Sequence, residues 1–589
     1  MKQFLKYTLA TVCGLLLFAL VSMFFFFALL GSLAAMGSSD AVTKAEPHSV
    51  YCIDMRGSVA ERTDYDKFTA AMMELAGQKQ DPQYGLNDLV ENIRKAKDNP
   101  NIDGICLKGG KLQMGWATAQ TLRHELMAFK ESGKFVIAYA DFYGQLNYYL
   151  ASCADRVLVN PSGAIDWHGL SVTMAFYQRL LDKLGVEMQI VKVGTFKSAV
   201  EPYIRTSMSE ANRLQMEVLL NEVWHQVRAD VAESRNMSPD ALDSLADHYM
   251  GLQPAEDYLA EGLADSLCYE EGLDSVLTAL CGEDYEILSH EDMLSVVTKP
   301  EKYQKDKIAI LYAEGTITDD TGDGIVGKDM VETIAELTEK ENVKAVVLRV
   351  NSPGGSAFAS EQINHALCLL KEKKPLVVSM GDYAASGGYY ISAPGDFIFA
   401  EHNTITSSIG IFGVIPNIGG LTDKVGLDFD ALATHKHGNL EANSVLKGMN
   451  EEERIMMQAE INRGYDLFTR RCAEGRHISQ DSVKVIGEGR VWTGIHALQL
   501  GLVDSIGSLD DAVRKAAALA EIEEYAIKEY PEEDDEFTKL LKAFGSASVA
   551  DRMVRKAVGD ERYERMYYLR HLATEPSVQA RLPYFINIE

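Results

Sequence analysis

The sequence predicts an α/β protein made of two tandem copies of one domain, preceded by one transmembrane helix. Three observations carry this expectation. Short β-branched and apolar runs alternate with helical patterns, which implies βαβ units, covered sheets and right-handed crossovers. Segments of the first half recur in the second half at a fixed spacing. Residues 7–39 contain no charged side chain.

The uncharged stretch comes first in the chain. It exceeds the roughly 20 residues needed to span a bilayer, and it exceeds the apolar core of a secretory signal. Lys2 and Lys6 precede it and Asp40 follows, so the positive-inside bias puts the amino terminus in the cytoplasm. The remainder would then lie on the outer side of the cytoplasmic membrane. Ser32-Leu33-Ala34 imitates a cleavage site and supports the competing reading of a removed signal; the length favours an uncleaved anchor over residues 1–39.

The repeat is visible at three places. Leu89-Val-Glu-Asn-Ile-Arg matches Met330-Val-Glu-Thr-Ile-Ala. Ala140-Asp-Phe-Tyr-Gly-Gln-Leu-Asn-Tyr-Tyr-Leu-Ala151 matches Gly381-Asp-Tyr-Ala-Ala-Ser-Gly-Gly-Tyr-Tyr-Ile-Ser392. Met208-Ser-Glu-Ala-Asn-Arg213 matches Met449-Asn-Glu-Glu-Glu-Arg454. The offsets 330−89, 381−140 and 449−208 are all 241. A register held this far marks a duplicated domain rather than a short-period solenoid. Gly57 pairs with Gly315 at an offset of 258, so the first copy carries 258−241 = 17 extra residues before Leu89.

In the second copy, residues 307–312 read as a strand and 330–341 as a helix. Residues 343–350 read as a buried strand, 360–371 as a helix, 375–380 as a strand and 451–475 as a long outer helix. The expected domains are 47–282 and 307–520, joined by a polar linker at 283–306 that contains Pro300. Residues 521–589 belong to neither copy; the acidic run Pro531-Glu-Glu-Asp-Asp-Glu536 reads as solvated linker and the remainder as surface helices.

Bulk properties narrow the function. The 589 residues carry a formal charge of −29, which argues against a nucleic-acid partner and against broad docking on anionic lipid. The eight cysteines have no metal-ligand spacing, and no phosphate-binding glycine loop is present, so neither metal nor nucleotide cofactor is expected.

The two copies differ where chemistry could occur. Ser386 follows an apolar run and sits between Ala385 and Gly387-Gly388, where small neighbours would expose a nucleophile's hydroxyl. Taken alone, Ala-Ser-Gly-Gly reads more readily as a close-packed helix start. Its counterpart in the first copy is Gln145 (386−241). The glycines of Asn351-Ser-Pro-Gly-Gly355 could pair an N–H from Gly354 or Gly355 with that of Gly387 as an oxyanion hole. A serine needs a base, and His365, His402, His435 and His437 are poorly placed for it. Lys197, in Gly194-Thr-Phe-Lys-Ser-Ala-Val-Glu-Pro202, stands among small and apolar neighbours, while its counterpart is Gly438. Most lysines are surface residues. The complementary loss favours another role here: one copy keeps a nucleophile and the other a base.

On these three motifs, and over nearly the whole chain up to about residue 519, the sequence resembles the SppA-type signal peptide peptidases in their long, two-repeat, membrane-anchored form. The resemblance implies a ClpP/crotonase-like fold of β-β-α spiral units. It implies Ser386 as nucleophile and Lys197 as general base, with Ser408 of Ile405-Thr-Ser-Ser-Ile-Gly410 orienting the lysine in preference to Ser407. It also implies peptide substrates such as cleaved signal peptides, contact with the bilayer, and a homotetramer. Two rivals are a crotonase-like acyl-thioester enzyme, disfavoured by the placement outside the cytoplasm, and a non-catalytic membrane scaffold.

Overall fold

The computed structural model describes residues 44–63, 81–297, 304–322, 324–532 and 578–581, with isolated residues 7, 14, 17, 18 and 21. The expected membrane anchor therefore lies outside the described residues, apart from those isolated positions. So do residues 64–80, where the first copy carries its extra segment. Among the described residues, no helix is long and apolar enough to cross a membrane.

The repeat reappears as matched elements. Helices Leu86–Asp98, Trp116–Lys130 and Glu210–Arg235 correspond to Gly327–Glu339, Ala357–Lys371 and Glu451–Arg476, each pair offset by 241 at both ends. Local chemistry sets these boundaries. Asn450 accepts from Glu453 N while the Glu453 carboxylate takes the Asn450 N–H, a capping box that starts the long outer helix. Ser209 accepts from Asn212 N at the equivalent start, and both helices end on a left-handed residue, Asn236 and His477. Strand Val343–Ser352 is buried over almost its whole length, as a run covered on both faces must be.

Each copy forms its own sheet. In the first, six parallel strands run in the order Ser266–Leu267, Arg156–Ile165, Phe135–Tyr143, Ile102–Lys108, Ser49–Asp54 and Glu286–Leu288. In the second, the main path is Val491–Thr493, Ile405–Ser407, Leu376–Ala385, Val343–Ser352, Lys307–Glu314 and Ala526–Tyr530. The α/β expectation and the duplication are thus both visible in the backbone.

Three expected boundaries need correction. Glu286–Leu288, assigned to the linker, is an edge strand of the first sheet on Ser49–Tyr51. Ala526–Tyr530, assigned to the tail, is its equivalent in the second sheet on Lys307–Leu311. Both carry charged residues among the apolar ones, because an edge strand needs only one covered face. The third correction concerns the tail: Val578–Arg581 is a strand and not part of a surface helix.

A further sheet joins the copies, in the order Ile325–Val326, Ile317–Thr318, Gly354–Ser356, Val578–Arg581, Phe412–Asn417 and Glu187–Lys192. Its last pair is antiparallel and sets a strand of the first copy on one of the second, with Lys192 opposite Phe412. Elsewhere Met216 and Leu219 of the first copy pack with Ala385, Ile405 and Val491 of the second. Polar contacts fix the register. Arg349 donates to both oxygens of Glu61, at 2.7 and 3.2 Å, with both side chains 2% exposed. Asp382 accepts from Thr118 N and Oγ1, and Glu401 from Thr121 Oγ1.

Candidate active site

Ser386 stands between strand Leu376–Ala385 and the short helix Gly387–Ser392, at φ 56° and ψ −111°. Positive φ is uncommon for a residue with a Cβ, and it persists only where surroundings hold it. Here Ser386 N donates to Ser407 O at 2.6 Å and Tyr390 N donates back to Ser386 O at 2.9 Å. The sharp strand-to-helix turn directs the hydroxyl away from the helix and toward the joint between the copies.

Lys197 reaches the same place from the first copy. Its strand, Glu187–Lys192, is paired into the joining sheet, and Val193 N continues that pairing to Ile411 O. Phe196 N then donates to Glu488 O, which docks the loop onto the second copy. Two glycines of the second copy make room for the side chain. A methyl group on Gly489, at φ 75°, would lie 2.6 Å from Lys197 Cβ, and one on Gly410 would lie 3.2 Å from Lys197 Cδ. The Lys197 side chain ends fully buried, with Nζ 2.7 Å from Ser386 Oγ.

Nζ has two other neighbours, Ser408 O at 3.0 Å and Ser408 Oγ at 3.1 Å. The Ser408 hydroxyl itself donates to Gly489 O at 3.3 Å, which leaves its lone pairs free to accept. A neutral amine has two N–H donors and one lone pair. With both donors taken by Ser408, the lone pair of a neutral amine would face the Ser386 hydroxyl. Burial holds the Lys197 amine well below the usual lysine range, because the charged form has lost its water. Ser407, the alternative orienting residue, has a buried hydroxyl with no partner among the described residues and takes no part in this set.

The three glycines expected near the oxyanion divide differently from the expectation. Gly354 N donates to Ser352 Oγ at 3.1 Å, and that hydroxyl donates to Gly315 O, so the Gly354 N–H is already engaged. Gly387 and Gly355 remain as candidate donors. Gly354 serves by having no side chain: a methyl group there would lie 2.6 Å from Gly387 N. The close approach of the two loops needs that glycine, at φ 95°.

The counterpart positions have other uses. Gln145, in place of a nucleophile, accepts from His168 N and Gly169 N and donates to Gly169 O, so it holds a loop. Gly438, in place of the lysine, lies in an exposed segment. Among the described residues, no group of three or more metal-ligating side chains comes together. Sequence reasoning missed Gly410 and Gly489, which matter only because a lysine 200 or more residues earlier lies against them. It missed as well the buried cluster of Glu61, Glu314, Arg349, Asp382 and Glu401 behind the site; charged residues far apart in sequence give no local signal.

The chain matches the pattern of peptidase family S49 twice, over residues 128–281 and 369–523. The starts of the two matches differ by 369−128 = 241 residues, the spacing of the repeat. It is 36% identical over 551 residues to Protease 4 of Haemophilus influenzae, covering 88% of this chain and 87% of that protein. It is 28% identical over 497 residues to the chloroplastic serine protease SPPA of Arabidopsis thaliana, covering 81% of this chain and 72% of that one. Among solved structures, a point mutant of ClpP1 from Listeria monocytogenes aligns over 35% of this chain and 94% of its own, at 17% identity and a TM-score of 0.24.

Proposed function

The chain belongs to peptidase family S49, and from that membership we propose that it is a membrane-anchored serine endopeptidase with a Ser386–Lys197 dyad. The observation that carries this reading is the 2.7 Å approach of a buried lysine amine to a serine hydroxyl on a sharp turn. In the first step neutral Lys197 takes the Ser386 proton as Oγ attacks a peptide carbonyl. The N–H groups of Gly387 and Gly355 receive the oxyanion, and Lys197 returns the proton to the leaving amine as the C–N bond breaks. Water then attacks the acyl-enzyme, with Lys197 again as base, and frees the carboxylate. Ser408 orients the amine throughout.

The substrates we propose are apolar peptides, cleaved signal peptides among them. The uncharged stretch at residues 7–39 would hold the site beside the outer face of the cytoplasmic membrane, where such peptides are left. Ser386→Ala and Lys197→Ala, each in detergent, should lose at least about a hundredfold in kcat/KM on an apolar peptide. Full activity in either variant would refute the dyad.

We propose further that copies of the chain associate head to tail, as a homotetramer. Support comes from the repeat itself. Phe412 pairs with Lys192 across the joint. Shifting each by one repeat gives 412−241 = 171 and 192+241 = 433. Residues 171–176 and 428–433 should therefore pair by the same rule, yet neither segment is in a strand here, and Leu432 is fully exposed. A second copy can supply the missing partner through a heterologous contact. Leu432→Lys should lower the mass seen in sedimentation; an unchanged mass would count against this contact.

A further inference from the structure

Two cysteines of the first copy meet across neighbouring strands of its sheet. Ser49–Asp54 runs parallel to Ile102–Lys108, and the register sets Cys52 directly opposite Cys106. Register partners put their side chains on one face, with backbones about 4.8 Å apart. That spacing falls inside the Cα separation of roughly 4.4–6.8 Å that a disulfide spans. The two thiols hydrogen-bond to each other. Both stand in the apolar layer between the sheet and helix Glu270–Cys281, with Cys106 fully buried and Cys52 half-buried.

The repeat shows that the fold itself does not need thiols here. The offset of 258 that pairs Gly57 with Gly315 puts Ile310 at the position of Cys52 (52+258), and the offset of 241 puts Val347 at that of Cys106 (106+241). Ile310 and Val347 are themselves opposite each other in the equivalent strand pair, and both are buried. A single buried cysteine packs as a small apolar residue and calls for nothing more. Two at one register pair, where the sister copy has Ile and Val, supply a bond that an apolar pair cannot.

We propose that Cys52 and Cys106 form a disulfide that staples the first strand of the domain to its neighbour, with a protein or small-molecule disulfide as the oxidant. In the cell this rests on the proposed placement outside the cytoplasm, where disulfides persist. Cys52, the more accessible thiol, attacks first as a thiolate. Its sulfur bonds to one sulfur of the oxidant, and the other leaves as a thiol. The facing Cys106 thiol, and then the Lys108 ammonium, hold Cys52 below the usual thiol value against the opposing effect of burial. Cys106 next attacks the Cys52 sulfur: the Cys52–Cys106 bond forms, the mixed disulfide breaks, and the second oxidant sulfur leaves as a thiol. Two electrons and two protons pass from the pair to the oxidant. The staple closes a loop of 106−52 = 54 residues that includes Glu61, whose carboxylate pairs with Arg349 of the second copy.

The test incubates the full chain in detergent with glutathione disulfide, blocks the remaining thiols with iodoacetamide under denaturant, and reads the peptides by mass spectrometry. Expected is a linked peptide pair carrying Cys52 and Cys106, lighter by the two hydrogens lost. Reduction should then lower the Tm of wild type by roughly 5–10 °C. It should leave unmoved the double variant Cys52→Ile, Cys106→Val, which carries the second copy's residues. Both thiols alkylated after incubation, or a bond from either one to Cys268 or Cys281, would overturn the proposal and leave the placement untouched. A linked wild type whose melt ignores reduction would overturn the staple. A second arm blocks thiols in intact cells with N-ethylmaleimide before lysis. The bond found there supports the pair and the placement together; its absence there, with the bond formed in glutathione disulfide, supports the pair and contradicts the placement.

Discussion

Lys197 Nζ lies 2.7 Å from Ser386 Oγ, although 189 residues separate them and they belong to different copies of the repeat. Neither copy holds both groups. On the proposed dyad the two copies divide the work: one contributes the strained turn, and the other contributes a lysine set against two glycines. The site exists only while the two copies stay in register.

The first consequence is a pH dependence. Lys197 can accept a proton only when neutral, and burial holds its amine well below the usual lysine range. The rate should fall as pH drops through the lysine's titration, with unit slope in log kcat/KM, and should be level above it. The limb should lie well below the ordinary lysine value of about 10.4. A limb near 10 would contradict a neutral buried base.

A second consequence concerns the glycines that admit the lysine. Gly489→Ala would add a methyl group 2.6 Å from Lys197 Cβ and 2.7 Å from Lys197 N, at a positive φ. The lysine must shift, and a displacement of about 1 Å at a reacting group costs roughly a hundredfold. Expected is a loss of that order in kcat with little change in KM, read beside a circular dichroism melt that shows the fold intact. Gly410→Ala, where the contact is 3.2 Å, should cost less.

Much of this arrangement is legible in the sequence, and the reasons are physical. Helices such as Glu451–Arg476 announce themselves by caps and periodicity, and buried strands such as Val343–Ser352 by continuous apolar runs. Ser386 and Lys197 stand out because the fixed offset exposes what each copy lacks. The Glu61–Arg349 pair is a different matter. Those residues are 288 apart, and nothing near either one signals the other. Val578–Arg581 is equally opaque: Val-Gln-Ala-Arg is short, and its strand character comes from pairing with Gly354–Ser356 and Phe412–Asn417.

The buried carboxyls behind the site should make stability depend on pH. Burial pushes Glu314 up to about 7, with the neighbouring Glu61 charge adding to it, and burial pushes Glu401 up to about 7 as well. A carboxyl whose value is raised on folding binds a proton that the unfolded chain has released. Its stabilising contribution is full below about 4.5 and is lost as pH rises through about 7, by up to roughly 3 kcal/mol per group. The double variant Glu314→Gln, Glu401→Gln should therefore gain in Tm over wild type at pH 8 and not at pH 5. An equal difference at both values would show that these groups do not titrate in that window.

The division of the dyad between copies is the central claim, and acylation of Ser386 tests it most directly. A serine-directed acylating probe is added to the detergent-solubilised full chain, and the labelled residue and rate are read by mass spectrometry, with Lys197→Met in parallel. Wild type should be labelled at Ser386, one group per chain, and Lys197→Met should be slower by at least about a hundredfold. Labelling at another serine, or Lys197→Met labelled at the wild-type rate, would contradict the account.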